Sequence, residues 1–99
     1  MKIKLTDDAI DDLVVGMSFY EEKRSGLGGY FRDCLTADIS SLTIFAGIHN
    51  QIDGSFYTPS NRFPFVIWYR IHDPYVVVFA VLDGRAEPDQ NARIVRSRA

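Results

Sequence analysis

The sequence holds a single cysteine, Cys34, so no disulfide can form within the chain. Its place between Phe31 and Leu35 predicts a small buried hydrophobe in a reducing compartment, and the cytoplasm is the expected location. Long apolar runs are missing as well. The longest, Tyr75 to Leu82, is eight residues, far short of the roughly twenty that a helical membrane span needs. The opening Met1 to Leu5 meets Asp7, Asp8, Asp11 and Asp12 rather than an apolar stretch, so no signal peptide is expected. Surplus positive charge is absent too. A net charge of −2 excludes a strong, indiscriminate nucleic-acid binder, which needs Lys and Arg in excess to displace counterions. There is no Gly-rich phosphate loop, nucleophile elbow or Ser-His-Asp arrangement. His49 and His72 lack a second ligand at metal-binding spacing, so neither metal nor cofactor is expected.

What is present supports one folded domain. Hydrophobic residues make up 46% and aromatics 13% of the chain, enough for a packed core at a length of 99 residues. Charge is unevenly placed. Residues 1–40 carry five basic and eight acidic groups, residues 41–82 two of each, and residues 83–99 four basic and three acidic. Arginine therefore concentrates late, where an anionic partner would be sought.

Lys2 to Leu5 alternates polar and apolar and predicts a short strand. Thr6 is placed to cap a helix from residue 7 to 24, with Asp7 and Asp8 in its first turn and Lys23 and Arg24 in its last. Ile10, Leu13, Val14 and Met17 give that helix an apolar stripe, extended by Tyr20. Asp7–Asp11 and Asp8–Asp12 are i,i+4 pairs, which predicts a solvated acidic face rather than a metal cluster. Gly26, Gly28 and Gly29 break the helix. A second begins near Leu27, with Phe31, Leu35, Ile39 and Leu42 on one face, making a helical hairpin. Residues 46–53 read as a loop. Strand patterns follow at Ser55–Thr58, Arg62–Ile71 and Tyr75–Leu82, and the last two, joined across His72-Asp73-Pro74, predict an antiparallel hairpin. The fold class is α+β: an N-terminal strand and a helical hairpin packed on a twisted antiparallel sheet, in the order β-α-α-β-β-β. Residues 1–88 form the domain, and 89–99 a polar tail that is mobile or ordered only by a partner.

Five pieces in fixed order carry a resemblance: Ala9-x-x-Asp12-Leu13, Phe19-Tyr20-Glu21-Glu22, Gly26-Leu27-Gly28-x-x-Phe31, Arg62-Phe63-Pro64-Phe65-x-Ile67-x-Tyr69 and Val78-x-Ala80-Val81-Leu82. In this combination the chain resembles RelE/ParE-type toxins of type II toxin–antitoxin systems, on the ParE-like branch that includes plasmid stabilisation proteins. The resemblance implies a growth-inhibiting toxin neutralised by a cognate antitoxin whose extended segment wraps it, as a homodimer or as a toxin–antitoxin hetero-oligomer. It implies one of two targets: mRNA cut on the ribosome, as in RelE-like members, or DNA gyrase, as in ParE-like ones.

Side chains decide between them. Cleavage by a ribose 2′-hydroxyl needs a base, a cation for the phosphate and an acid. The candidate cations are Arg62 and Arg85. Residues 51–61 contain no lysine, however, and no tyrosine or histidine follows Tyr75. The expected activity is therefore inhibition of gyrase by protein contact. A ribosome-dependent ribonuclease and a non-toxic homologue that only binds antitoxin are the alternatives. Arg62, Arg70, Arg85, Arg93 and Arg96 are the expected target-binding residues, with Arg98 near them; solubility at a strand end is the competing reading of Arg62, and cover for Trp68 that of Arg70. Met17, Tyr20, Phe63, Phe65 and Trp68 are the expected antitoxin contacts, on an apolar strip left open by the sheet.

Overall fold

A computed structural model describes all of residues 1–99. Strand β1 (Lys2–Leu5) leads into helix α1 (Asp7–Lys23), and α2 (Leu27–Ser40) returns beside it, followed by the single turn α3 (Leu42–Phe45). Strands β2 (Gln51–Ile52), β3 (Ser55–Pro59), β4 (Phe65–His72) and β5 (Tyr75–Asp83) come next, then α4 (Pro88–Arg98). The sheet runs β1-β5-β4-β3-β2. Neighbours are antiparallel except β1, which lies parallel to β5. No helix is long and apolar enough to cross a membrane.

Local chemistry explains the hairpin. The Thr6 hydroxyl accepts from the Ala9 N–H at 3.1 Å, and Asp7 and Asp8 occupy the first turn of α1. Gly26 starts α2 at φ 90°, a conformation that costs glycine nothing. The Glu21 carboxylate then accepts from the Gly26 N–H at 3.0 Å and the Gly28 N–H at 3.0 Å, capping α2 from the preceding helix. A methyl group on Gly28 would stand 2.6 Å from the Met17 carbonyl oxygen. Gly28→Ala should therefore push α1 and α2 apart and lower stability by about 2 kcal/mol, read from the denaturant midpoint.

The hairpin covers one face of the sheet. Ala9, Phe31, Leu35, Ile39 and Leu42 pack on Phe65, Ile67, Tyr69, Val76, Val78 and Val81. Phe31 is fully buried and stands edge-on to both Phe63 and Phe65, with centroids 5.0 Å away. A register shift between Trp68 and Tyr69 leaves Phe79 without an opposite residue, since Trp68 faces Ala80 and Tyr69 faces Val78. The bulge keeps Ile67, Tyr69 and Ile71 toward the helices on both sides of it and turns Phe79 to the other face.

Four expectations need correction. The segment after Pro88 is neither mobile nor dependent on a partner: it forms α4 on the second face of the sheet, with Val95 buried against Phe79, Ala80 and Leu82. Glu87 caps it by accepting from the Asp89 and Gln90 N–H groups, and Pro88 occupies the first turn, where its missing N–H costs nothing. The stretch 46–53 contains β2, paired with β3 through an Asp53-Gly54 turn whose φ values are 51° and 82°, the positive-φ geometry of a two-residue hairpin. The long strand begins at Phe65 rather than Arg62, because Ser60 to Pro64 turn outward under Asp38. Asp12 does not face solvent, and its partners belong with the site.

Buried Tyr69 also ties down the loop before β2. Its hydroxyl accepts from the Gly47 N–H at 3.0 Å and meets the His49 Nδ1. Burial holds the Tyr69 pKa above its ordinary value, the Gly47 hydrogen bond opposing this to a lesser degree. The folded chain thus keeps this proton to higher pH than the unfolded chain. Stability is full below about pH 10 and falls as pH rises beyond it. Tyr69→Phe should cost about 1–2 kcal/mol at neutral pH and flatten the alkaline decline, measured as denaturant midpoints across that range.

Candidate functional site

An ion pair joins three elements at the edge of β5. Strand β1 pairs with β5 only as far as Val78, so the edge beyond lacks a neighbouring strand. Asp12 of α1 accepts there from the Val81 N–H at 2.9 Å and from Arg98 of α4, at 2.6 Å to Nη1 and 3.1 Å to Nη2. The same Nη1 donates to the Phe79 carbonyl at 3.2 Å. The two side chains are only 13% and 18% exposed. The Asp12 hydrogen bond leads the influences that raise the Arg98 pKa, so the guanidinium stays charged.

Beside this pair lies an apolar groove between α1 and β5, lined by Val15, Gly16, Phe19, Phe65, Val81 and Leu82, with Asp12 and Asp83 at its rim. Val15 is 69% and Phe19 46% exposed, one turn apart on the flank of α1 that faces the groove. Scattered exposed apolar residues need no explanation, but an apolar groove beside an open strand edge marks a binding surface.

The residues expected to form one antitoxin strip are divided. Met17, Tyr20 and Phe63 pack into the core between hairpin and sheet; Phe65 is nearly buried and forms part of the groove wall. Trp68 lies on the opposite face with Ile94 and Val95 of α4. The uncovered apolar groove is on α1 instead, at Val15 and Phe19, which lie outside the stripe of Ile10, Leu13, Val14, Met17 and Tyr20 read from the sequence.

The arginines are divided as well. Arg62 is exposed before β4, beside Tyr30, Asp38 and Asn61. Arg85 is exposed and held by Asp83, with Nη2 2.9 Å and Nε 3.1 Å from its carboxylate. This contact pulls the Asp83 carboxyl below its usual range and raises the Arg85 pKa. Arg93 and Arg96 are exposed on α4, Arg96 beside Trp68 and Ile52. Arg70 lies on the same sheet face as Trp68, its guanidinium carbon 4.9 Å from the centre of the Phe79 ring. His49 and Tyr69, which do meet, do so away from all of these, in the loop before β2. The arrangement brings no base, acid and phosphate cation into contact. No group of three or more His, Cys, Asp or Glu side chains could hold a metal ion.

Comparison with solved structures decides the fold. A chain of the chromosomal ParDE toxin–antitoxin system from P. aeruginosa superposes with a TM-score of 0.71 at 16% identity, covering 84% of this chain and 95% of that one. The isolated RelE toxin of E. coli superposes with a TM-score of 0.60 at 12% identity, covering 97% of each chain. The protein has the RelE/ParE-type toxin fold. No family model matches the sequence, and no curated protein does. The RelE/ParE-type fold accounts for the order β-α-α-β-β-β read from the sequence. In this member of the fold, the groove on α1 and the Asp12–Arg98 pair are the features that join the hairpin, the sheet edge and α4.

Proposed function

We propose that this chain is the toxin of a type II toxin–antitoxin pair, kept silent by a cognate antitoxin and acting by protein contact on DNA gyrase rather than by catalysis. The observation that carries the reading is the apolar groove at the open end of β5, on a fold shared with a chain of a ParDE toxin–antitoxin system. An extended antitoxin segment would lay alternate apolar side chains against Val15, Phe19 and Phe65. The pair would be cytoplasmic, and Arg62, Arg85, Arg93 and Arg96 would meet the target. Contact rather than cleavage is favoured because the Asp83 carboxylate holds and neutralises Arg85, and because residues 51–61 hold no lysine and no tyrosine or histidine follows Tyr75.

Purified protein added to gyrase in a plasmid supercoiling assay tests this directly. Supercoiling should fall with added protein, and recover when antitoxin is supplied. Unchanged supercoiling, together with messages cut at defined ends on ribosomes, would replace the reading with a ribonuclease.

A further inference from the structure

Helix α3 and the turn after it carry three large apolar side chains that the core does not use. Ile44 is 80%, Ile48 73% and Phe45 49% exposed, whereas Leu42 and Ala46 beside them face the core. Local geometry holds the three together. Ala46 at φ −55°, ψ 135° and Gly47 at φ 97° make a type II turn, closed by the Ile48 N–H donating to the Phe45 carbonyl at 3.3 Å. The turn brings Phe45 and Ile48 within about 7 Å of each other, with Ile44 next in the chain. The Met1 nitrogen donates to the Thr43 carbonyl at 3.2 Å, which sets Met1 at the border of the same surface.

The cluster is firmly mounted. Leu42 is fully buried, and the Gly47 N–H and the His49 ring are both tied to the hydroxyl of buried Tyr69. A molecule docking there has no loop to order, which removes one of the costs of association. Between Asp38 and Asp53 there is no Asp, Glu, Lys or Arg, the longest such stretch in a chain that is 24% charged. That neutrality decides what can cover the surface. Around a two-fold axis each residue meets its own copy or a close neighbour of it, so a charge near the axis faces a like charge. The α1 groove fails this condition, since Asp12 and Asp83 stand on its rim. The 44–48 turn meets it. A partner of another kind is picked out by complementary charge, and the turn offers none.

We infer that two copies of this chain associate through the 44–48 turn, with Ile44, Phe45 and Ile48 of one packing on the same three side chains of the other about a two-fold axis. Apolar and aromatic side chains free of charge are the composition of an interface core. The surface lies at the end of the sheet where β1 and β5 begin, because Met1 adjoins Thr43 and Lys2 stands opposite Tyr75. The α1 groove lies at the other end, around Val81 to Asp83, about 20 Å away along β5. Both surfaces can therefore be occupied together, and self-association stands apart from the toxin reading. Interfaces of standard size range from micromolar to picomolar, so a smaller one should have a Kd of about 1–100 μM.

Sedimentation equilibrium of the full chain at concentrations up to about 500 μM tests this. The average mass should climb from that of one chain toward that of two and no further, since a two-fold contact closes on itself. Sodium sulfate should strengthen the association, because excluded salt favours apolar burial. Ile44→Ser with Ile48→Ser, both at exposed positions, should keep the parent's circular dichroism and weaken association at least about tenfold. Ile44→Ser alone should weaken it severalfold. Ile10→Ser with Val14→Ser, exposed apolar positions on α1, should change it less than about twofold. A parent that stays monomeric throughout would overturn the inference, and flotation of that monomer with phosphatidylglycerol vesicles would assign the turn to a lipid surface instead. Equal association by the parent and the Ile44/Ile48 variant would also overturn it, as would loss of association in the Ile10/Val14 variant alone.

Discussion

Asp12→Ala should lower the stability of the folded chain by at least about 3 kcal/mol, the low end of the cost of stranding one partner of a buried ion pair. The carboxylate holds the Arg98 guanidinium and the Val81 N–H at the open edge of β5, so its removal leaves the backbone donor unmatched and the cation with only the Phe79 carbonyl and exposed Asp8, 3.8 Å away. For a chain of this size the loss corresponds to a fall in Tm of at least roughly 12 °C. Asp11→Ala, one residue away on the exposed side of α1, should change stability by less than about 0.5 kcal/mol. The charge pair is also replaceable. Asp12→Leu combined with Arg98→Met should recover most of the loss, because two apolar side chains need no desolvation of charge. If Asp12→Ala melts like the parent, the pair is a surface contact and α4 is held by Val95, Ile94 and the Asn91 hydrogen bond to the Asp83 carbonyl.

The largest functional effect is expected from Val15→Glu with Phe19→Glu. Both positions are exposed in the free chain, so the double variant should fold with a stability change under about 1 kcal/mol. Bound to an antitoxin, the two carboxylates would be driven against Phe65, Val81 and Leu82, with Asp12 and Asp83 already at the rim. Desolvation and like-charge repulsion act in the same direction there. Affinity for the antitoxin, measured by isothermal titration calorimetry, should fall by at least about a hundredfold, equivalent to about 2.7 kcal/mol. In cells the variant should escape neutralisation while keeping its own activity. Unchanged affinity would move the antitoxin away from α1.

Much of this architecture is legible in the residues, because each long element carries its own periodicity. The stripe on α1, the Thr6 cap and the alternation in Phe65–Ile71 depend on neighbours within one or two turns. What was illegible depends on distance or brevity. Two-residue β2 is too short to show alternation, although Asp53-Gly54 marks the turn that makes it. Helix α4 buries only Val95, too little for an apolar stripe; its signal lay in Glu87-Pro88-Asp89, a helix-start pattern. Asp12 looks like Asp7, Asp8 and Asp11 in sequence, and only its contact with Arg98, 86 residues away, sets it apart. The placement of Lys4 across Val77 from Arg70 requires the parallel register of β1 on β5, which no local pattern reveals. Which face Trp68, Tyr69 and Phe79 each take likewise depends on the bulge at Phe79.

Growth of a bacterial culture after induction of this chain, with and without its neighbouring gene, bears most directly on the toxin reading. The account predicts arrest when the chain is made alone and normal growth when the antitoxin accompanies it. Unaltered growth in the absence of the neighbour would contradict it.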